Sequence, residues 1–284
     1  MSPSQAAGKR LSLVPTPVGN LGDVTLRALE VLAAADVVAA EDTRHSRTLL
    51  DRYGVDTRLE RLDAHTMDSR ARPLLERFDH VAYVTDAGTP GISDPGAELV
   101  RLALDMGFSV EVLPGATAFV PALVESALPT ARFTFEGFLP RKGAERKRRL
   151  TQLASSTATT IIYESPNRLA ATLRDLALVC GPLRPASVSR EISKLHHETL
   201  RGALEDLEKR FTAEPPRGEI VLVVGPAPEP DEPVGANQEV AALLAGAGVR
   251  GRLLREALSA LGVPRNEAYQ LALEHPEPGA DEPT

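Results

Sequence analysis

Three times in the first 120 residues, a short apolar run ends in a loop of glycine, proline and small polar residues: 14–20 (VPTPVGN), 86–96 (DAGTPGISDPG) and 113–117 (LPGAT). Helical patterns separate these runs. Residues 11–14 read as a strand. Leu26, Leu29, Leu32 and Ala33 then recur at helical spacing, with Asp23 or Thr25 available as N-cap. Residues 36–40 read as a buried strand with Glu41-Asp42-Thr43-Arg44 at its C-terminal end. A helix through Leu49 and Leu50 and a strand near 59–62 follow. Residues 69–78 are helical, with Pro73 predicting a late start. Strand 80–84, helix 95–106, strand 108–113 and another helix complete the half. Strands alternating with helices require a mainly parallel, doubly wound α/β sheet. In such sheets ligands bind outside the carboxyl ends of the strands, where these loops lie.

Length supports a second domain, since 284 residues exceed one typical domain. It begins near Ala127-Leu128-Pro129. Strands are expected at 133–138, 158–163, 186–191, around 197–202 and at 219–224, with helices at 166–179 and 203–211. Short connections between strand pairs predict a mixed sheet with antiparallel neighbours. The expected organisation is a disordered leader (1–9), an N-terminal α/β domain (10–126), a second α/β domain (127–225), a Pro- and acid-rich linker (226–236), a helical helix-turn-helix-like module (237–273) and a disordered tail (274–284). In the module, one helix spans 252–261 and another 264–273, turning at Gly262.

Composition excludes several classes. No uncharged apolar run is long enough to span a membrane, and the N-terminus lacks the apolar segment of a secretory signal. Cys180 is the single cysteine, which removes intrachain disulfides and Cys-cluster metal sites. A cytoplasmic setting without a metal is expected. Adjacent His196 and His197 point to opposite sides if they lie on a strand, and make a poor chelating pair. Phosphate-binding P-loops, the G-x-G-x-x-G fingerprint and the G-x-S-x-G and H-E-x-x-H motifs are all missing from the sequence. Aromatic residues are 4% of the chain and Trp is absent, so aliphatic side chains must fill the cores. The formal net charge of −7 is matched by Glu229, Asp231, Glu232, Glu274, Glu277, Asp281 and Glu282 in the linker and tail, which leaves room for a local basic patch elsewhere.

That patch is Arg141-Lys142-Gly143-Ala144-Glu145-Arg146-Lys147-Arg148-Arg149. Cations at a helix start oppose the helix dipole, so Arg141, Lys142, Arg146, Lys147, Arg148 and Arg149 are expected to grip an RNA backbone. The alternative is a solvated helix face. Phe135, Phe138 and Tyr163 are the aromatics best placed to meet a splayed base, and core roles compete for each. Arg250, Arg252, Arg255 and Arg265 leave the C-terminal helices open to RNA contact or to packing.

The combination of VPTPVGNLGD, VVAAEDTR, VTDAGTPGISDPG, VLPGATA, FEGFLPRKG and YESPNR resembles the tetrapyrrole methylase superfamily over about residues 10–225. Within it, the chain is similar to the bacterial group that methylates a cytidine 2′-hydroxyl in the decoding region of small-subunit (16S) ribosomal RNA. The resemblance implies two α/β domains with S-adenosylmethionine in the cleft between them, and a homodimer. It maps cofactor contacts onto Pro17, Gly19, Asp86, Ala87, Gly88, Ile92, Asp94, Gly115, Ala116 and Thr117. Either Asp86 or Asp94 could face the cofactor. A ribose hydroxyl needs its proton drawn away before it attacks. The strand-end candidates are Glu41, Asp42, Glu164 and Glu191, with Arg44, Arg190 and Lys194 as electrostatic partners. Glu41-Asp42-Thr43-Arg44 is the first choice as a unit, with helix capping by Asp42 or Thr43 as its plain alternative. Competing functions are a precorrin-type tetrapyrrole C-methyltransferase and a non-catalytic ribosome assembly factor that binds the same cofactor. The expected partner is the ribosomal RNA or the assembled 30S particle.

Overall fold

The computed structural model describes residues 8–228 and 236–277. It divides into two units, Met1–Ala227 and Pro228–Thr284. Most of the expected leader, linker and tail lies outside the described residues.

In the first unit the elements run β1 (Arg10–Leu13), α1 (Leu26–Ala34), β2 (Val37–Ala40), α2 (Thr43–Arg52), β3 (Leu59–Arg61), α3 (Met67–Arg77), β4 (His80–Val84), α4 (Gly96–Asp105), β5 (Ser109–Val112) and α5 (Phe119–Glu125). They continue with β6 (Phe133–Phe138), α6 (Ala144–Ala154), β7 (Thr159–Glu164), α7 (Pro166–Cys180), β8 (Pro185–Arg190), β9 (Glu198–Ala203), α8 (Leu204–Ala213) and β10 (Ile220–Val224).

The first five strands form a sheet in the order β3-β2-β4-β1-β5, with every pairing parallel. Side chains alternate between its faces. Leu11, Leu13, Val37, Ala39, Val81 and Tyr83 pack with Ala71 and Leu75 of α3 and Leu99 of α4. Val14, Val38, Ala40, Ala82 and Val84 pack with Ala28 and Leu32 of α1 and Leu50 of α2. Both faces are covered, so the inner strand β2 is apolar along its whole length and β4 is apolar beyond His80. All strand carboxyl ends lie along one edge.

The other five strands form a second sheet in the order β6-β7-β10-β8-β9. Only β6 and β7 pair in parallel; β10 is antiparallel to β7 and β8, and β8 to β9. One face packs Ile162, Val188, Leu222 and Val224 against α6, α7 and α8. The other packs Ile161, Val221 and Val223 against Ala122 and Leu123 of α5.

Three expectations need correction. Helix α3 starts early, and Pro73 sits inside it. Asp63 fixes the start: its Oδ1 accepts the Thr66 N–H (2.9 Å) and its carbonyl accepts the Met67 N–H (2.9 Å). Burial of Ala71, Leu74 and Leu75 then carries the helix past the one bond that Pro73 cannot donate. His196 and His197 lie in the turn before β9, not on a strand; His197 Nε2 meets Glu125 Oε2 at 3.0 Å. Among the described residues the second unit holds three helices where two were expected: α9 (Ala236–Gly246), α10 (Gly251–Ala260) and α11 (Arg265–Glu274). Ala241 and Ala245 of α9 join Leu254, Leu258, Ala268 and Leu271 in one small core, which explains why the latter pair of helices does not stand alone.

Candidate functional site

A cavity of about 490 Å³ opens in the first unit, between the strand ends of the first sheet and the inner face of the second. Its first wall is Val18, Glu41, Thr85, Asp86, Ala87, Gly88, Thr89, Ile92, Ser93, Asp94, Thr117 and Ala118. Its second is Phe138, Tyr163, Glu164, Ser165, Pro166, Ile192 and residues 218–221.

The three glycine- and proline-rich loops are stitched together. Thr16 and Gly88 exchange two backbone hydrogen bonds (3.0 and 2.9 Å), and Thr16 Oγ1 donates to the Thr85 carbonyl (3.0 Å). Thr89 Oγ1 donates to the Ala116 carbonyl (3.0 Å). Asp94 Oδ1 accepts the N–H groups of Gly91 (2.7 Å) and Gly96 (2.8 Å), closing the middle loop on itself. Gly88 has φ +83°, a left-handed conformation that brings bare backbone to the cavity wall. Ser93 holds φ +66° without being glycine, a strain of the kind kept at binding sites.

Of the residues expected at a cofactor, Asp86, Ala87, Gly88, Ile92, Asp94 and Thr117 line the cavity. Pro17, Gly19, Gly115 and Ala116 are not among its lining residues. Three of them sit in tight surroundings: Pro17 is buried, a Cβ on Gly19 would stand 2.5 Å from the Ile192 carbonyl, and one on Gly115 would stand 2.5 Å from Pro15 Cβ. The two aspartates differ. Asp94 is occupied by its own loop, whereas Asp86 accepts one bond, from the Asp42 N–H at 3.2 Å.

The acid-base candidates also separate. Glu41 lines the cavity, is half-buried, and makes no ion pair among the described residues. Burial, then the neighbouring Asp86 charge, raise its pKa above the usual carboxylate range, and Asp94 and Asp63 add to this. Asp42 does what a cap does: it accepts the Arg44 N–H at 2.8 Å and pairs with the Arg44 guanidinium at 2.9 Å, which hold its carboxyl well below the usual range. Arg44 is 91% exposed and lies away from the lining. Glu164 has no exposed side-chain surface. It accepts from Ser165 N (2.8 Å) and Thr172 Oγ1 (2.7 Å) and pairs with Arg168 Nε (3.2 Å). Glu191 accepts from Lys194 Nζ (3.0 Å) and Glu219 N (3.1 Å), and the lysine bond lowers its pKa. Arg190 pairs with Glu198 at 2.7 Å.

Phe138 is 56% exposed at the cavity. Its ring lies 5.8 Å from that of Tyr163, whose hydroxyl burial pushes up to about 12. Phe135 packs between Phe119 and Tyr163, both at 5.0 Å, in the core. The basic run divides in two. Arg146 is 11% exposed and pairs with Asp175 at 2.7 Å. Arg148 pairs with Glu145, and Arg149 with Glu136 and Glu145. Arg141, Lys142 and Lys147 are exposed and without an ion pair among the described residues.

Sequence reasoning did not single out Thr85, Thr89, Ser93, Ala118, Ser165, Pro166, Ile192 or Gly218. Thr85, Thr89 and Ser93 flank or lie inside the glycine motif, so reading that loop whole would have found them. Ile192 and Gly218 carry no local signal; they arrive through the antiparallel pairing of β8 and β10.

The residues present suit a nucleoside joined to an amino acid. Thr85 Oγ1 is buried with no hydrogen-bond partner, an unmet donor and acceptor at the wall. Asp86 can meet an amine or ribose hydroxyls, and Val18, Ile92, Ala118 and Phe138 supply apolar surface. Among the described residues no group of three or more His, Cys, Asp or Glu is placed to hold a metal ion, and no helix is long and apolar enough to cross a membrane.

Comparison with known proteins agrees with this geometry. The family described as Tetrapyrrole (Corrin/Porphyrin) Methylases matches residues 10–208. The Ribosomal RNA small subunit methyltransferase I of Synechocystis sp. is 42% identical over 271 residues, covering 93% of this chain and 97% of that one. The protein of the same name from Micromonospora olivasterospora is 44% identical over 273 residues, with 94% and 87% covered. Among solved structures, a uroporphyrin-III C-methyl transferase from Thermus thermophilus complexed with S-adenyl homocysteine superposes with a TM-score of 0.56 at 22% identity, covering 76% of this chain and 97% of that one. The methyltransferase CobJ gives 0.61 at 22% identity, with 78% and 95% covered. The fold, the stitched strand-end loops and these likenesses agree that the chain belongs to the tetrapyrrole methylase superfamily and, within it, to the ribosomal RNA small subunit methyltransferase I family.

Proposed function

We propose that the chain transfers a methyl group from S-adenosylmethionine to the ribose 2′-hydroxyl of a cytidine in the decoding region of small-subunit ribosomal RNA. Family membership makes it an S-adenosylmethionine-dependent ribosomal RNA methyltransferase; the nucleotide and the hydroxyl are the finer part of this reading. The observation that carries it is Glu41, a half-buried carboxylate without an ion pair among the described residues, opening on the same cavity as Asp86 and Gly88.

When bound, the cofactor supplies a methyl group on a positively charged sulfur. The backbone of residues 86–92 and Thr117 would hold its polar ends, and Asp86 would receive an amine or ribose hydroxyls. Pro17, Gly19, Gly115 and Ala116 set the loop shape. Glu41 accepts the 2′-hydroxyl proton. Its raised pKa makes it a stronger base than an exposed carboxylate, and its place in the cavity would orient that oxygen toward the methyl donor. Arg141, Lys142 and Lys147 neutralise backbone phosphates, and Phe138 offers a ring face to a splayed base. A cytoplasmic homodimer completes the reading, on family resemblance.

The test supplies labelled cofactor with small ribosomal subunits, naked ribosomal RNA and a precorrin-type substrate in parallel. Label in alkali-resistant 2′-O-methylcytidine is expected. Label on the tetrapyrrole, or binding without transfer, would overturn the reading in favour of a C-methyltransferase or an assembly factor.

A further inference from the structure

Two arginines of the second sheet's helical layer reach the same turn. Arg168 donates from Nη2 to the Leu139 carbonyl at 2.8 Å, and Arg146 donates from Nη1 to the Pro140 carbonyl at 3.0 Å. These consecutive carbonyls lie between Phe138, at the cavity, and Arg141 and Lys142, two of the unpaired cations. The guanidiniums are also joined to each other. Arg168 pairs with Glu164 (3.2 Å), Glu164 accepts from Thr172 Oγ1 (2.7 Å), and Arg146 Nη2 donates to Thr172 Oγ1 (3.1 Å). Asp175 anchors the far side, accepting from Arg146 Nε (3.0 Å) and Nη2 (2.7 Å). The relay ends at the cavity wall, where Glu164 accepts the Ser165 N–H at 2.8 Å.

Such an arrangement is costly to bury and rigid once every partner is in place. It uses the planar fork of arginine: each guanidinium serves a carbonyl with one nitrogen and an acidic or hydroxyl partner with another. A lysine supplies the charge but not the fork.

We infer that Arg146 and Arg168 are positioning residues: linked through Thr172 and Glu164, they clamp the 139–140 turn and thereby hold Phe138 and the Arg141–Lys142 pair in register with the cavity, so that contact with RNA is set from the protein interior. Arg146 therefore acts on RNA through the turn and does not touch a phosphate. The part concerning RNA rests on the function proposed above; the clamp itself does not.

The experiment compares Arg146→Lys, Arg146→Gln, Arg168→Lys and the milder Thr172→Val with the parent, in the full chain. Two readouts are taken: hydrogen exchange of the backbone in 137–143 without RNA, and KM for small ribosomal subunits over a salt series, with the thermal midpoint as folding control. A clamp predicts faster exchange in 137–143 for every folded variant. It also predicts a KM raised about tenfold and a salt slope reduced by about 1 to 2 as the two cations lose their placement, with Arg146→Lys as defective as Arg146→Gln. If lysine restores KM and salt slope, Arg146 binds phosphate directly and the inference fails. Unchanged exchange in 137–143 also overturns it, as does a lowered thermal midpoint with KM and salt slope intact, which marks a purely structural role. Absence of methyl transfer to RNA by the parent would defeat the proposed function instead, and the exchange readout would still decide the clamp.

Discussion

The ends of β2 and β7 each place a glutamate at the same cavity, and the two have opposite fates. Glu164, at the end of β7, is out of reach of solvent and saturated by a backbone N–H, a hydroxyl and a guanidinium. Glu41, just beyond β2, is half-buried and feels the charges of three other carboxylates, Asp86, Asp94 and Asp63. The first has its charge consumed by structure. The second keeps an unspent lone pair and a raised proton affinity. A carboxylate at a strand end is thus a reactive group only where the local donors have been used elsewhere. Next to Glu41 that has happened, because Asp42 takes both the α2 cap and the Arg44 guanidinium.

The contrast can be broken most severely at Glu41. Glu41→Gln should lower the single-turnover methyl-transfer rate by about 100-fold or more, the usual scale for losing a general base, while affinity for S-adenosylhomocysteine measured by calorimetry stays within about twofold. Glu164→Ala should do the reverse, removing about 3–5 kcal/mol of stability in urea unfolding because Arg168 is left facing a lost partner. Gly88→Ala sharpens the role of the loop beside Glu41. Its φ of +83° costs a side chain about 1–2 kcal/mol, so weaker S-adenosylhomocysteine binding and a lower thermal midpoint should appear together. The smallest effect is on stability against pH. Glu41 has a raised folded-state pKa, so its charged form weighs against the fold above that pKa and the burden disappears as pH falls through it. Urea midpoints should therefore show Glu41→Gln equal to or above the parent at neutral pH, with the difference vanishing in acid. Asp42, with a depressed pKa, behaves oppositely: its contribution is present above the ordinary aspartate range and is lost as pH falls through its lowered value.

Much of the first sheet was legible because local signals coincide. Of the two N-cap candidates, Asp23 and Thr25, it is Thr25 that caps α1, accepting the Ala28 N–H at 3.0 Å, and strands 80–84 and 133–138 fall where their β-branched and aromatic residues indicate. That the glycine loops share one cavity wall was legible because a parallel sheet must bring its strand ends to one edge. Pro73 misled because propensity is local while Leu74 and Leu75 are fixed by tertiary burial. Helix α9 carries no strong amphipathic pattern and is recognisable only beside the helices that share its core. The basic run read as six equivalent cations; Asp175, lying 29 residues from Arg146, removes one of them through a fold that no window contains. Glu41 and Glu164 were indistinguishable for the same reason, since the partners that saturate Glu164 sit one and two turns along α7 and depend on that helix starting at Pro166.

The most direct test is the pH dependence of the single-turnover rate at saturating cofactor, for the parent and Glu41→Gln on small ribosomal subunits. The parent should gain rate as pH rises through a value above the ordinary carboxylate range, and the variant should show a low rate with that limb gone. A variant that keeps both the limb and the rate would contradict the assignment of Glu41 as the base.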